Sequence, residues 1–480
     1  MEPLETWIDR EYRHAAATML ASISPVGLIK ERPGFGQTLR AVMGAIVASP
    51  VLAAYDPDPD YFFHWYRDSA VVIDALRRLF EEGTVGPEAL EHLADFVRFS
   101  LTLRDLDGRG LVSYPAWRAN VREDFVRFLR SDSDLASAYG DSVAAETRVN
   151  PDGTLDISSW PRPQNDGPAM RALALLRWER IARSDPLEKV ACGPFSDSSF
   201  AAGRKRRDFS GLRRLRGEAA QVRQAASAEL SAQLSMLLRA DLAFTRARWS
   251  QPCFDIWEEE KGFHYYTLSV SAAALEEGAR WLADHGQAQE ATACRAEAQA
   301  ARSKLDGFWL AEEGFYRSRV LDSGERSTKE LDISVILAAV HIWGIHQTHS
   351  VHDPRMQATL ERLQALFDAE YPINRNRPSQ RGTAMGRYRG DVYYSGGAYY
   401  FSTLGAAEFC FLAAAGSAER TAWLRRGDAF LETVRTFTPP SGDLSEQFDK
   451  ETGVQTSAKH LAWSYAAFVS CIGARRAASE

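Results

Sequence analysis

Nowhere in these 480 residues does a run of about 18 apolar residues occur, which speaks against a membrane-spanning helix. Cysteine is sparse: Cys192, Cys253, Cys294, Cys410 and Cys471 are odd in number and far apart. They give neither a paired disulfide framework nor a CxxC metal cluster, so reduced, mostly buried thiols in a cytoplasmic protein are expected. A basic excess is missing too, with a net charge of −7. Nucleic-acid binders normally carry surplus Lys and Arg to offset phosphates, so no such partner is expected. The opening residues, MEPLETWIDREYRHAA, lack the basic start and apolar run of a secretory signal, and none is expected there. There is no HExxH helix, Walker loop or dinucleotide-type glycine pattern beside a convincing strand. His341, His346, His349 and His352 read as helix-end and loop residues. Neither metal nor cofactor is expected.

What is present is aromatic and helical. The chain carries 12 Trp, 16 Tyr and 24 Phe; most suit a core, but flat rings with polar edges also suit sugar faces. Val72, Leu76, Leu79 and Phe80 recur at helical spacing, as do Leu230, Leu234, Leu237, Leu238 and Leu242. Val270, Ala274, Trp281 and Leu282 mark another such face, in a segment rich in helix formers. Strand-like alternation is scarce, so an all-α class is predicted. Long polar-aromatic loops fall at 55–68, 158–168, 251–264, 371–398 and 438–455, and such loops on a rigid scaffold tend to carry function. The basic stretch 193–217 reads as a solvated, mobile surface segment. No linker divides the chain, and one domain over 1–480 is expected.

Two acidic sites stand out. Asp255, Glu258, Glu259 and Glu260 crowd beside Trp257; mutual repulsion and apolar neighbours favour a retained proton, as a general acid needs. An acidic helix start would look the same. Glu446 lies in a Gly/Ser/Asp-rich loop, placed either to activate water or simply to face solvent. Arg67 and Asp68 follow Trp65, and Arg162 and Asp166 follow Trp160. Such pairs suit sugar hydroxyls, or merely tie loops together. Asp166 also suits a helix N-cap.

Five blocks in one order change this picture: PDYFFHWYRDS, WPRPQNDGPAMRA, FDIWEEEKGFHYYTLSVSAAALEEG, YPINRNRPSQRGTAMGRYRGDVYYSGGAYYFSTLGAAEF and GDLSEQFDKETGVQTSAKHLAWSYAA. From about Pro59 to about Ala467 the chain resembles glycoside hydrolase family 15, the glucoamylase family. The resemblance implies an (α/α)6 barrel with its pocket at one end. It also implies exo-release of glucose from the non-reducing ends of α-1,4- or α-1,6-linked glucans, with inversion at the anomeric carbon. Glu258 matches the family's general acid and Glu446 its general base. Arg67 and Asp68 match the grip on the terminal glucose. Glu259, Arg387 and Gln447 match further sugar-binding positions, Trp160 and Arg162 pocket contacts, and Tyr61, Trp65, Trp257 and Trp463 aromatic walls.

There are departures from the family pattern. A platform often seen as Trp falls on Tyr399, which puts binding beyond the first sugar in doubt. The signal sequence, disulfides and starch-binding module of secreted fungal members are not seen, which favours soluble intracellular oligosaccharides over granular starch. A relative acting on trehalose or dextran-type linkages, a phosphorolytic barrel enzyme and a silent glucan-binding protein are the alternatives. Oligomeric state is left open.

Overall fold

The structure, a computed structural model, describes residues 2–55, 57–184 and 210–479. Twelve helices of eight or more residues occur among them: α1 (Leu4–Leu20), α2 (Tyr66–Glu81), α3 (Glu88–Thr102), α4 (Asp166–Ser184), α5 (Ser210–Arg248), α6 (Tyr265–Asp284), α7 (Ala288–Leu305), α8 (Ser334–His341), α9 (Pro354–Glu370), α10 (Tyr400–Ala414), α11 (Arg420–Phe437) and α12 (Ala462–Ser479). The even-numbered helices touch in sequence, α2 to α4, α6, α8, α10 and α12, and α12 returns to α2. That closed ring is wrapped by the odd-numbered helices, with α7 on α6, α11 on α10 and α1 on α12. The fold is an (α/α)6 barrel.

The sequences of the two rings explain their places. Every residue of α10, YFSTLGAAEFCFLAA, is buried; it has no polar face and is sheltered on all sides. A Cβ on Gly405 would stand 2.5 Å from the Leu337 side chain, so the α8–α10 contact needs glycine there. By contrast α7 buries only Ala291, Cys294, Ala298, Ala301 and Leu305, one stripe on an otherwise polar outer helix. The predicted stripes of α2, α5 and α6 face inward: Val72, Leu76, Leu79, Leu234, Leu237, Leu238, Leu242, Val270, Ala274, Trp281 and Leu282 are all buried. One hydrophobic cluster runs from Trp7 to Ala478.

Connections into the inner helices are long: 21–65, 103–165, 249–264, 306–333, 371–399 and 438–461. Three of those leaving them, 82–87, 285–287 and 415–419, have six residues or fewer. These six connections into the inner helices therefore gather at the N-terminal ends of those helices. The expected loops 251–264, 371–398 and 438–455 fall in this set. The expected loops 55–68 and 158–168 each run three residues too far, into α2 and α4, and the second is otherwise only the end of 103–165, which holds the short helices Gly108–Ser113 and Asp132–Ser137. Small antiparallel sheets pin the loops, one joining Cys253–Phe254, Lys261–His264 and Arg319–Leu321, another Ala398–Tyr399, Ser445–Phe448 and Gln455–Lys459. Strands of two to five residues are too short to show alternation in the sequence.

Of the basic 193–217 segment, residues up to 209 lie outside the described part, as does Cys192, and the remainder begins α5. Cys253, Cys294, Cys410 and Cys471 are buried free thiols. His341 ends α8, and His346, His349 and His352 lie in the connection that follows. Among the described residues no helix is long and apolar enough to cross a membrane.

Candidate active site

Between the strands Cys253–Phe254 and Lys261–His264 the chain makes a turn that Asp255 organises. Its Oδ1 accepts the N–H groups of Trp257 and Glu259 at 2.8 and 3.2 Å, and its Oδ2 accepts that of Glu260 at 3.1 Å. Arg319, fully buried, binds Asp255 and Glu260 at 2.8 Å each and also pairs with Asp332. Burial opposes ionisation of Asp255, but Arg319 and the backbone donors hold its carboxyl below the ordinary range. At the tip of this turn Glu258 takes φ 66°, the left-handed region that non-glycine residues rarely occupy. Strain of this kind persists only where surroundings enforce it, and it clusters at functional sites.

The crowding expected of the four carboxylates does not arise, because cations and donors hold them apart. Asp255 and Glu260 share Arg319, while Glu259 binds Lys329 at 2.7 Å, Tyr388 at 2.6 Å and Arg387 at 3.1 Å. Glu258 alone is turned toward aromatic rings. Trp65 Nε1 donates to its Oε1 at 2.8 Å, Trp160 Nε1 to its Oε2, and Arg67 Nη2 lies 3.5 Å away. Its pKa is raised, chiefly by burial, with Arg67, Arg148 and the two indole donors opposing. Apolar surroundings, rather than repulsion between neighbours, favour its proton. The acidic-helix-start reading also fails, since the next helix begins at Tyr265.

Glu446 lies in the strand Ser445–Phe448, where pairing with Gln455–Lys459 slips by one residue between Ser445 and Gln447. A bulge re-aims a side chain. Opposite it Ser457 takes φ 65° and donates its hydroxyl to Glu446 Oε2, while Tyr61 OH donates to Oε1 at 3.3 Å. Burial pushes the Glu446 carboxyl up to about 7, against the pull of Ser457, Arg387 and Tyr61. This is not a solvent-facing loop acid: Glu446 is 8% exposed. The rings of Tyr61 and Trp65 pack at 5.1 Å, so the partner of Glu446 touches the partner of Glu258. The fold brings the two glutamates to one aromatic wall.

Other expected positions sort into two groups. Arg67 and Asp68 stand in the first turn of α2, but Arg67 binds Asp166 at 3.0 Å and reaches Asp68 only at 3.9 Å. Asp166 opens α4 as this ion-pair partner rather than as an N-cap, its Oδ2 on Arg67 and its buried Oδ1 without a partner. Arg67 Nε is buried without a partner, a donor left over for a ligand. Burial, reinforced by Glu258 and opposed by Arg67, lifts Asp68 to about 6. Trp463 stacks on Phe401 at 4.4 Å and on Trp257 at 6.4 Å; Trp257 donates to Asp332 at 2.9 Å. Arg387 clamps Asp391 with two bonds of 2.7 Å beneath the Trp257 ring.

Three residues sit behind the wall. Arg162 is tied to Glu146, Asp156 and the carbonyls of Ser158 and Trp160, so it props Trp160 from behind. Tyr399 is fully buried, with its hydroxyl on Asp391 at 3.1 Å and accepting from Gln447 at 2.9 Å. It offers no exposed platform, and Gln447 is equally enclosed. Ser457, Arg319, Asp332 and Arg148, which stacks over Trp160 at 3.7 Å, were not singled out from the sequence. Ser457 and Arg319 each needed a partner distant in the chain to acquire meaning. An adjoining cavity of about 530 Å³ is lined by Tyr55, Pro57, Glu259, Val392, Tyr393 and Tyr394.

A barrel of helix pairs whose long loops gather rings and buried carboxylates at one end has the architecture of a carbohydrate-active enzyme. The model of glycosyl hydrolases family 15 matches residues 34–97, 144–426 and 417–473. A probable glucoamylase of Schizosaccharomyces pombe is 26% identical over 511 residues, spanning 99% of this chain and 92% of that protein. The intracellular sporulation-specific glucoamylase of Saccharomyces cerevisiae is 24% identical over 539 residues, spanning 97% and 83%. The solved glucoamylase of Hypocrea jecorina superposes with a TM-score of 0.73 at 23% identity, over 99% of this chain and 73% of that one. The chain belongs to glycosyl hydrolases family 15. It is a glycoside hydrolase.

Proposed function

We propose a glucoamylase-type enzyme that releases β-D-glucose from the non-reducing ends of α-1,4-linked glucans or maltooligosaccharides, with inversion. Glu258 is the general acid and Glu446 the general base. The observation that carries this reading is the pair of buried glutamates joined through Tyr61 and Trp65. Glu258 is buried against Trp65 and Trp160, and burial favours its proton. Glu446 receives hydrogen bonds from Ser457 and Tyr61, which stabilise its anion for drawing a proton from water. Inverting hydrolases keep their carboxyls roughly 6.5–9.5 Å apart to admit that water. Arg67, with its spare Nε, and Asp68 hold the hydroxyls of the terminal glucose, while Trp65, Trp160 and Trp463 offer apolar faces to the ring. No cofactor enters this chemistry.

We read residues 1–480 as one catalytic unit, in line with the main hydrophobic cluster, which runs from Trp7 to Ala478. A cytoplasmic location fits the intracellular yeast relative and the buried free thiols. Soluble maltooligosaccharide, rather than a granule, is the substrate proposed. Incubation with maltose, maltotriose, isomaltose, trehalose and dextran, followed by glucose assay, tests this. Maltotriose and maltose are the expected substrates, and cleavage of trehalose or dextran alone would overturn the proposal.

A further inference from the structure

At the opposite end of the barrel, where the inner helices end, lies a second cavity of about 260 Å³. Its walls come from α2, α4, α8, α10 and α12, and four arginines line it: Arg77, Arg78, Arg177 and Arg180. Helix C-termini carry partial negative charge, so some of these guanidiniums neutralise helix ends. Arg177 does so, donating to the carbonyl of His341 and to Asp74 at 2.6 Å. Arg77 is held by Asp74 at 2.8 Å and by Glu81.

Arg78 is different. It approaches Glu408 only at 3.8 Å, and its buried Nε has no acceptor. Glu408 in turn accepts from Ser470 at 2.6 Å and is buried, which raises its pKa and weakens it as a counter-charge. At the rim, Arg180 pairs with Glu277, which it shares with Arg280, and it faces Arg177, Arg280 and Arg77. One unpartnered guanidinium nitrogen, Arg78 Nε, among four arginines that line a polar cavity makes a cradle for a multi-oxygen anion, which Arg binds through its planar fork.

We propose that this cavity binds a phosphate-type oxyanion, free or carried on a sugar, with Arg78 on the floor and Arg180 at the rim. The volume admits either inorganic phosphate or a hexose phosphate. Binding there bridges five of the six inner helices, so it stabilises the fold by mass action.

Calorimetric titration and thermal scans of the full chain, in buffer free of phosphate and sulfate and with saturating glucose present, test this. The arms are inorganic phosphate, a hexose monophosphate and the neutral hexose. Saturable binding and a raised Tm are expected with one or both phosphates and not with the neutral hexose. Arg180→Gln, at an exposed rim, and Arg78→Gln should each weaken binding at least tenfold while hydrolysis of maltotriose is unchanged. Inorganic phosphate alone, or hexose phosphate alone, binding in this manner identifies the source of the oxyanion. Absence of saturable binding in both phosphate arms, or equal binding in wild type and both variants, overturns the proposal.

Discussion

Ser457 donates its hydroxyl to Glu446 from a backbone held at φ 65°, opposite a one-residue slip in the strand pairing. The donor favours the carboxylate form. Ser457→Ala should therefore raise the Glu446 pKa further and move the acid limb of kcat/KM to higher pH. A net hydrogen bond of about 1 kcal/mol corresponds to about 0.7 pH unit. A pH–rate profile on maltotriose checks this, and an unchanged acid limb counts against Glu446 as the group that must ionise.

Glu258→Gln and Glu446→Gln each remove one proton-transfer function. Positioned acids and bases are typically worth about 10²–10⁴ in rate, so each variant should lose at least a hundredfold in kcat while keeping its circular dichroism. Near wild-type turnover in a folded variant would remove that residue from its role.

The same Glu446 bears on stability. Its carboxyl sits at about 7 in the fold against an ordinary 4.5. The native state therefore binds more protons than the unfolded chain between those values, and stability falls as pH rises through that window. At about 1.4 kcal/mol per pH unit, ionising it in the fold costs on the order of 3 kcal/mol. Glu446→Gln escapes this cost, so its Tm should exceed wild type at pH 8 and converge on it near pH 4. Paired thermal scans at the two pH values decide, and a gap of the same size at both contradicts the assignment.

Arg319 is buried and holds three carboxylates, the buried Asp255 and Asp332 and the partly exposed Glu260. Arg319→Met leaves those charges uncompensated, and breaking a buried pair in this way costs about 3–5 kcal/mol. Urea denaturation should show that loss, and turnover should fall as the Glu258 turn loosens. A variant as stable as wild type would mean the turn holds itself.

With Tyr399 enclosed, the exposed rings beyond the pocket are Tyr55 and Tyr394, 49% and 40% exposed. Tyr394→Ala should lower kcat/KM on maltopentaose by about 2–10-fold, the worth of one ring contact, and leave maltose within about twofold. Comparing the two substrates checks it; equal losses would place Tyr394 nearer the scissile bond.

Periodicity made three helices legible, because α2, α5 and α6 carry their stripes openly, while the closed barrel came from the family resemblance. Helix α10 has no stripe, since it is buried all round, and only the ring of neighbours explains it. Glu258 and Glu446 were legible only through the resemblance of five blocks. As isolated acids they were indistinguishable from surface residues. What sequence order hid was pairing at a distance: Arg67 with Asp166, Arg319 with Asp332, Ser457 with Glu446. Adjacent Arg67 and Asp68 invited a pairing, but the fold gives Arg67 to Asp166, and Arg162, expected in the pocket with Trp160, lies behind it.

Proton NMR of the anomeric signals in the first turnovers of maltotriose goes to the heart of the mechanism. Two glutamates acting across the pocket, one through an activated water, release β-glucose before mutarotation brings in the α-anomer. α-Glucose as the first product would mean retention, and would contradict the assignment of Glu446 as the base.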